Sequence, residues 1–230
     1  MYRTIFIDLD DTIWDTYSNG KESMRETFFD FHFDRFFESF DIFFNIYYPN
    51  NCMLWEKYRH GEITKEELTI QRIYYPLSPY IKYDETFILS VNKNFLDRTK
   101  LKTKLLPYAI ETLSYLQAKY KLYIISNGFK EVQYQKMEHS GLMPYFEGII
   151  LSDEVGYNKP HPKIFEAALN FALNSKKEVI MLGDSWDADI VGAKNIGIDQ
   201  IWYDLGIEKI TPEFTPTHRI TSLKEIKNIL

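Results

Sequence analysis

The sequence predicts an α/β protein in which a parallel sheet is covered by helices on both faces and an all-helical insertion follows the first strand. Three observations carry this. Ile5-Phe6-Ile7 is an apolar run beside the N-terminus that ends in Asp8, Asp10, Asp11 and Thr12, as a buried central strand followed by a polar turn does. Across residues 21–98 the pattern is helical, with no convincing strand. From Pro107 onward helix and strand patterns alternate, which is the order of a parallel sheet.

After the first strand, residues 13–20 read as a mixed connection. Phe29, Phe33, Phe36, Phe40, Phe43 and Tyr47 then recur at steps of three or four, as on one face of one or two helices, and such a stripe packs as core. Asn50-Asn51 after Pro49 predicts an interruption, His60-Gly61 a helix end, and Thr64 with Glu67 a capping box. Asp84 is placed to cap a helix running to Arg98. Pro107 suits the start of the next, whose apolar face is Leu113 and Leu116. A strand over 122–125, a helix over 132–139 stopped by Gly141, and a strand over 148–151 follow. A helix over 162–173, a strand over 179–182, a helix over 188–196 and a strand over 200–203 continue the alternation. Ser222 with Glu225 caps a short final helix. The implied domains are an α/β core of residues 1–16 and 99–230 and a helical insertion of residues 17–98.

A chain of 230 residues with 45% hydrophobic content can bury one substantial core and a smaller module, which excludes disorder of the whole chain. The formal charge of -6 argues against a nucleic-acid polymer as partner and leaves a small anion in a local positive site open. Cys52 is the sole cysteine, so no intrachain disulfide forms, as suits a reducing compartment. No long apolar stretch and no signal-peptide pattern is present. A membrane is therefore not an expected partner, and a cytoplasmic location is the default. The oligomeric state is not legible.

The polar clusters all lie at strand ends, where ligands of open α/β sheets bind. Asp8 and Asp10 are two apart and face one way from an extended chain, and two such carboxylates call for a proton or a cation between them. Ser126-Asn127-Gly128 ends the second strand and offers a hydroxyl and approachable N–H groups to phosphate oxygens, or else makes an ordinary Asn-Gly turn. Lys159 stands between Asn158 and Pro160 just before a helix, a rigid place for a phosphate-binding charge, while neighbouring His161 reads as a turn residue. The fourth strand ends in Gly183-Asp184, with Asp187 and Asp189 in the first turn beyond, where helix N-capping is their alternative use. A hard cation such as Mg2+ prefers such oxygen ligands.

Together Asp8-x-Asp10-x-Thr12, Ser126, Lys159 before a proline, and Gly183-Asp184-x-x-x-x-Asp189 resemble the four motifs of the haloacid dehalogenase (HAD) superfamily, over the whole chain. The resemblance implies a Rossmann-like core with a type 1 helical cap between the first and second motifs. Asp10 favours phosphoryl transfer from an ester, since the dehalogenases lack that second aspartate. It implies that Asp8 is the nucleophile, and that Asp10 is acid and base with a pKa raised by the surrounding acids. Asp8, the Asp10 carbonyl and Asp184 would hold Mg2+ with Asp189 in support, and Thr12, Ser126, Asn127 and Lys159 would bind phosphate. Leu54-Trp55-x-x-Tyr58-x-x-Gly61-x-Ile63-Thr64 and the run from Ser126 through Gly156 look like the bacterial pyrimidine 5'-nucleotidases. The implied partner is thus a small phosphorylated metabolite, a nucleoside monophosphate first, with Trp14 and the 54–58 aromatics offering faces to a base. A phosphatase or phosphomutase for another metabolite such as a sugar phosphate, or a non-catalytic phospho-ligand sensor, are the alternatives.

Overall fold

Six short runs pair into one sheet, and its central strands, rich in Ile, Leu and Val, are apolar on both faces and need cover on both. The computed structural model describes residues 1–206 and 211–230, so residues 207–210 of the expected core lie outside the described residues. The strands are β1 (Thr4–Ile7), β2 (Lys121–Ser126), β3 (Gly148–Leu151), β4 (Val179–Gly183), β5 (Asp199–Tyr203) and β6 (His218–Ile220). All pairs are parallel and the order is β3-β2-β1-β4-β5-β6, the doubly wound Rossmann-like order. β6 has only three residues, too few to show a period, and the sequence reading has no counterpart for it.

The chain divides into two compact units, Met1–Thr16 with Thr103–Leu230, and Tyr17–Lys102. In the second unit α1 (Thr16–Asp30, all but its first residue), α2 (Phe40–Arg59), α3 (Lys65–Leu77) and α4 (Glu85–Thr99) surround an aromatic core. Phe28 meets Phe33, Phe37, Phe40 and Phe43 at ring-centroid distances of 5.5–6.4 Å. Arg98 on α4 bonds Glu26 on α1 at 2.7 Å, and Lys102 reaches Glu22 and Glu26 at 2.7 and 2.6 Å. Residue 98, the expected point of division, lies inside α4, and the compact unit runs on to Lys102.

The predicted aromatic stripe is core at Phe33, Phe40, Phe43 and Tyr47, but Phe29 is exposed and Phe28 takes the inward place. The stripe crosses a turn between two helices, which resets its phase. The interruption expected after Pro49 does not occur, for α2 runs unbroken through it. Proline removes one hydrogen bond, and the buried face of Phe43, Phe44, Tyr47 and Leu54 keeps the helix on its path. Ser39, Thr64 and Asp84 cap α2, α3 and α4, and the Thr64–Glu67 box is complete.

In the α/β unit the sheet's alternation sorts its two faces. Ile5, Ile7, Leu122, Ile124, Ile180 and Leu182 pack with Leu113 and Leu116 of α5 (Ala109–Gln117), whereas Phe6, Ile125 and Met181 form a separate core with residues of a helix beyond β3. Pro107 lies two residues before α5, and Tyr108 in left-handed backbone is the residue that starts it. Next come α6 (Lys130–His139), the single turn α7 (Ser152–Val155) and α8 (Pro162–Ala172), which is the helix covering that second face. The helix expected over 188–196 is instead a π-helical turn, Trp186–Val191, followed by α9 (Gly192–Asn195). Ser185 begins the turn, accepting Ala188 N–H at 3.3 Å, and the widened backbone carries Asp189 inward to 1% exposure.

Candidate active site

β1, β2 and β4 end side by side, and the strand order reverses direction between β1 and β4, which opens a crevice at their carboxyl ends. Asp8 extends the ladder there, its N–H donating to Leu182 O at 2.9 Å. Asp8, Asp184 and Asp189 bring carboxylate oxygens within 4.8 Å of one another.

Lys159 enters this group from the loop after α7 with 2% exposure. Its Nζ donates to Asp8 Oδ1 and Asp189 Oδ1, each at 2.6 Å, and to Ile125 O at 2.7 Å, which uses all three ammonium protons. Burial draws this ammonium's pKa down, but Asp189 and Asp8 outweigh it and hold it above the ordinary lysine value. Asn127 locks the lysine's backbone from both sides, Nδ2 donating to Lys159 O at 2.9 Å and Oδ1 accepting Lys159 N–H at 2.8 Å. The side chain assigned to phosphate binding is thus committed to holding Lys159.

Burial raises the Asp8 carboxyl, Lys159 lowers it, Asp189 and Asp10 raise it again, and the result is about 7. Asp184 is also pushed well up, by burial and then by Asp8, Asp189 and Asp11. Two carboxyls so destabilised as anions form a donor set that a hard divalent cation relieves. Asp189 is differently placed: Oδ1 takes Lys159 and Oδ2 accepts Ser185 N–H at 3.1 Å, so it anchors the lysine. Thr12, assigned to phosphate, is fully buried and donates to Asp184 Oδ1 at 3.1 Å while accepting Asp184 N–H at 3.1 Å. Its one proton is spent on orienting Asp184.

Asp10 immediately precedes a tight turn in which Asp11 adopts φ 59°, a conformation aspartate tolerates, and Asp11 Oδ1 accepts Thr16 N–H at 3.0 Å. Asp10 Oδ1 accepts Lys136 Nζ at 2.7 Å and Thr16 Oγ1 at 3.1 Å, and Oδ2 accepts Gln133 Nε2 at 2.6 Å. Burial raises the Asp10 carboxyl, but Lys136, Gln133 and Thr16 together hold it below the ordinary range. The expectation of a raised pKa is overturned, because the nearest charge is a lysine one helix away. Ser126 accepts Gly128 N–H at 3.0 Å and Gln133 Nε2 at 2.7 Å, and keeps its own proton to donate.

The structure places Lys159 in direct contact with Asp8, Asp189 and Asn127, sets Asp184 oxygens within 4.8 Å of those of Asp8 and Asp189 and in contact with Thr12, and joins Asp10 to Ser126 through Gln133. Gln133 and Lys136 escaped sequence reading. Their signal was faint: α6 has almost no amphipathic contrast, and two polar residues three apart on a helix look like a solvated face. Trp14, offered as a base-stacking face, is fully buried in the sheet core. His161 accepts Lys163 N–H at the start of α8, as a turn residue does.

A family model described as haloacid dehalogenase-like hydrolase matches residues 2–197. The HAD-hydrolase YfnB of Bacillus subtilis (strain 168) is 30% identical over 237 residues, covering 100% of this chain and 95% of that protein. Its magnesium-bound crystal structure superposes with a TM-score of 0.88 at 28% identity, covering 99% and 98% of the two chains. The pyrimidine 5'-nucleotidase YjjG of Escherichia coli (strain K12) is 29% identical, with 98% and 96% covered. The pyrimidine 5'-nucleotidase PynA of Streptococcus pneumoniae (strain ATCC BAA-255 / R6) is 31% identical, with 80% of each covered.

Proposed function

The chain belongs to the haloacid dehalogenase-like hydrolases, and from that premise we propose that it is a Mg2+-dependent phosphomonoesterase acting on nucleoside 5'-monophosphates. The observation that carries the reading is Asp8, a buried carboxylate at a strand end, gripped by Lys159 and faced by a second carboxylate, Asp184. That set gives a nucleophile, a fixed positive charge for phosphoryl oxygens and the oxygen ligands of a hard cation.

Asp8 attacks phosphorus, the ester P–O bond breaks, and Asp10 protonates the departing oxygen. Asp10, ionised again, then takes the proton of a water that attacks the aspartyl-phosphate, which frees Asp8 and inorganic phosphate. The neighbouring Lys136 keeps Asp10 ionised for that second half, and the charge of an arriving phosphate dianion raises its proton affinity for the first. Lys159 and the Ser126 hydroxyl stabilise the transferring group. Asp8 and Asp184 would hold the Mg2+, each having one oxygen on Lys159 or Thr12 and the other to offer, and the ion would supply neutralisation of the negative charge of nucleophile and phosphate.

The nucleotide assignment is supported by likeness to YjjG and PynA, which are named pyrimidine 5'-nucleotidases. Ser126 and Lys159 see only the phosphate, so kcat/KM across leaving groups is the deciding measurement. Uridine and thymidine monophosphates are expected to be preferred over a hexose phosphate, with release lost in excess chelator. A hexose phosphate preferred by about tenfold overturns the nucleotide reading alone, and undiminished turnover in chelator overturns the metal dependence.

A further inference from the structure

Gln133 and Lys136 sit one turn apart on α6, and the catalytic steps give Lys136 only an electrostatic part and Gln133 none. Both are buried, Gln133 at 0% and Lys136 at 6% exposure. A glutamine in that position has to use both ends of its amide or leave a polar atom unsatisfied. Here Nε2 donates one proton to Asp10 Oδ2 at 2.6 Å and the other to Ser126 Oγ at 2.7 Å, while Oε1 is buried with no hydrogen bond. The amide can hardly be turned over, since its oxygen would then face the Asp10 carboxylate. The site therefore employs only the donor end of Gln133, where an apolar side chain would fill the space without an orphaned acceptor.

The neighbourhood is shaped to admit this amide. A Cβ at position 128 would collide with Gln133 Nε2, so the glycine after Ser126-Asn127 is what leaves room for it. Lys136 is fixed as firmly, its Nζ lying 4.2 Å from the centre of the buried Trp14 ring and 2.7 Å from Asp10 Oδ1. Asp10 is thus held by donors on each oxygen, and one of those donors also grips the serine at the end of β2.

We propose that Gln133 and Lys136 are positioning residues for Asp10: they fix the direction in which its carboxyl meets the leaving oxygen, and Gln133 ties that direction to Ser126, which holds the phosphoryl group. The proposal rests on the phosphomonoesterase reading, in which Asp10 delivers the proton. Protonation matters only when the leaving oxygen needs it. A ribose 5'-oxygen leaves as an alcohol, whereas 4-nitrophenolate departs without a proton. The value of kcat/KM reports steps up to the first irreversible one, which includes leaving-group departure.

The test compares uridine 5'-monophosphate with 4-nitrophenyl phosphate for the wild type, Lys136→Met, Lys136→Arg and Gln133→Met, with thermal melts alongside. Lys136→Met and Gln133→Met are expected to lose at least about tenfold more kcat/KM on the nucleotide than on the aryl ester, and Lys136→Arg to regain most of that difference. Equal losses on the two esters, within about threefold, overturn the proposal, because a merely structural role lowers both alike. If either Met variant does not fold, Gln133→Asn, which shortens the donor arm, supplies the same ratio and is read in the same way. A wild type inert toward both esters overturns the phosphatase reading and this inference with it, whereas an active wild type with equal losses overturns only the inference.

Discussion

At Asp8 the carboxyl is buried and close to other acids, and the proposed mechanism also asks it to react. Its pKa of about 7, against an ordinary 3.8, means the neutral form is favoured in the folded, metal-free chain. Stability from a raised acid is complete below its unfolded value and is lost as pH rises through the folded one, so Asp8 weakens the metal-free fold between about pH 4 and pH 7. Asp8→Asn is accordingly expected to melt higher than the wild type at about pH 8 in chelator, with the gap closing toward about pH 5. The same variant is expected to release no phosphate. A wild type that melts above Asp8→Asn at the alkaline end would show the burial argument to be wrong.

Among the elements, α2 breaks a local rule at its middle, as α3 does near its end at Pro76. A proline inside a helix costs about 3 kcal/mol or more through a lost hydrogen bond and a clash with the preceding turn. Pro49 is solvent-facing and shares in no core packing, so tertiary contacts elsewhere on the helix must offset it. Pro49→Ala is expected to raise stability by about 1–2 kcal/mol, read as a shift in denaturation midpoint. A lower midpoint would mean that the helix depends on the proline's rigidity in ways its hydrogen bonds do not reveal.

For the whole molecule, the proposed metal and the proton would compete for the same two carboxyls. Asp8 and Asp184 must both be ionised to hold a divalent cation, and both are pushed upward without one. Metal binding stabilises by mass action, about 2.7 kcal/mol at a hundredfold excess over Kd. The rise in Tm on adding Mg2+ is expected to be small near about pH 5.5 and to grow through about pH 8 as the protons leave. An equal rise at both ends would exclude these two residues as the ligands. Among the described residues no helix is long and apolar enough to cross a membrane, in line with the absence of a long apolar stretch in the sequence.

The sequence alone determined five of the six strands and the strand ends that carry the candidate site, because β1, β2 and β4 are short apolar runs and each ends in residues that disrupt a strand. It determined the capped helices too, since Thr64 with Glu67 and Asp84 act within a single turn. What it left to tertiary structure was everything set by contacts across long stretches of chain. Thr12 meets Asp184 at a separation of 172 residues and Asp10 meets Lys136 at 126, and no local pattern records either. Those contacts turned Thr12 from a phosphate ligand into a support for Asp184, and Asn127 into a clamp on Lys159. They also reversed the direction of the Asp10 shift, because the lysine that decides it lies on a helix whose own pattern reads as surface. Periodicity reports which face of an element is buried, whereas a carboxyl's charge depends on which neighbour the fold carries to within about 3 Å of it.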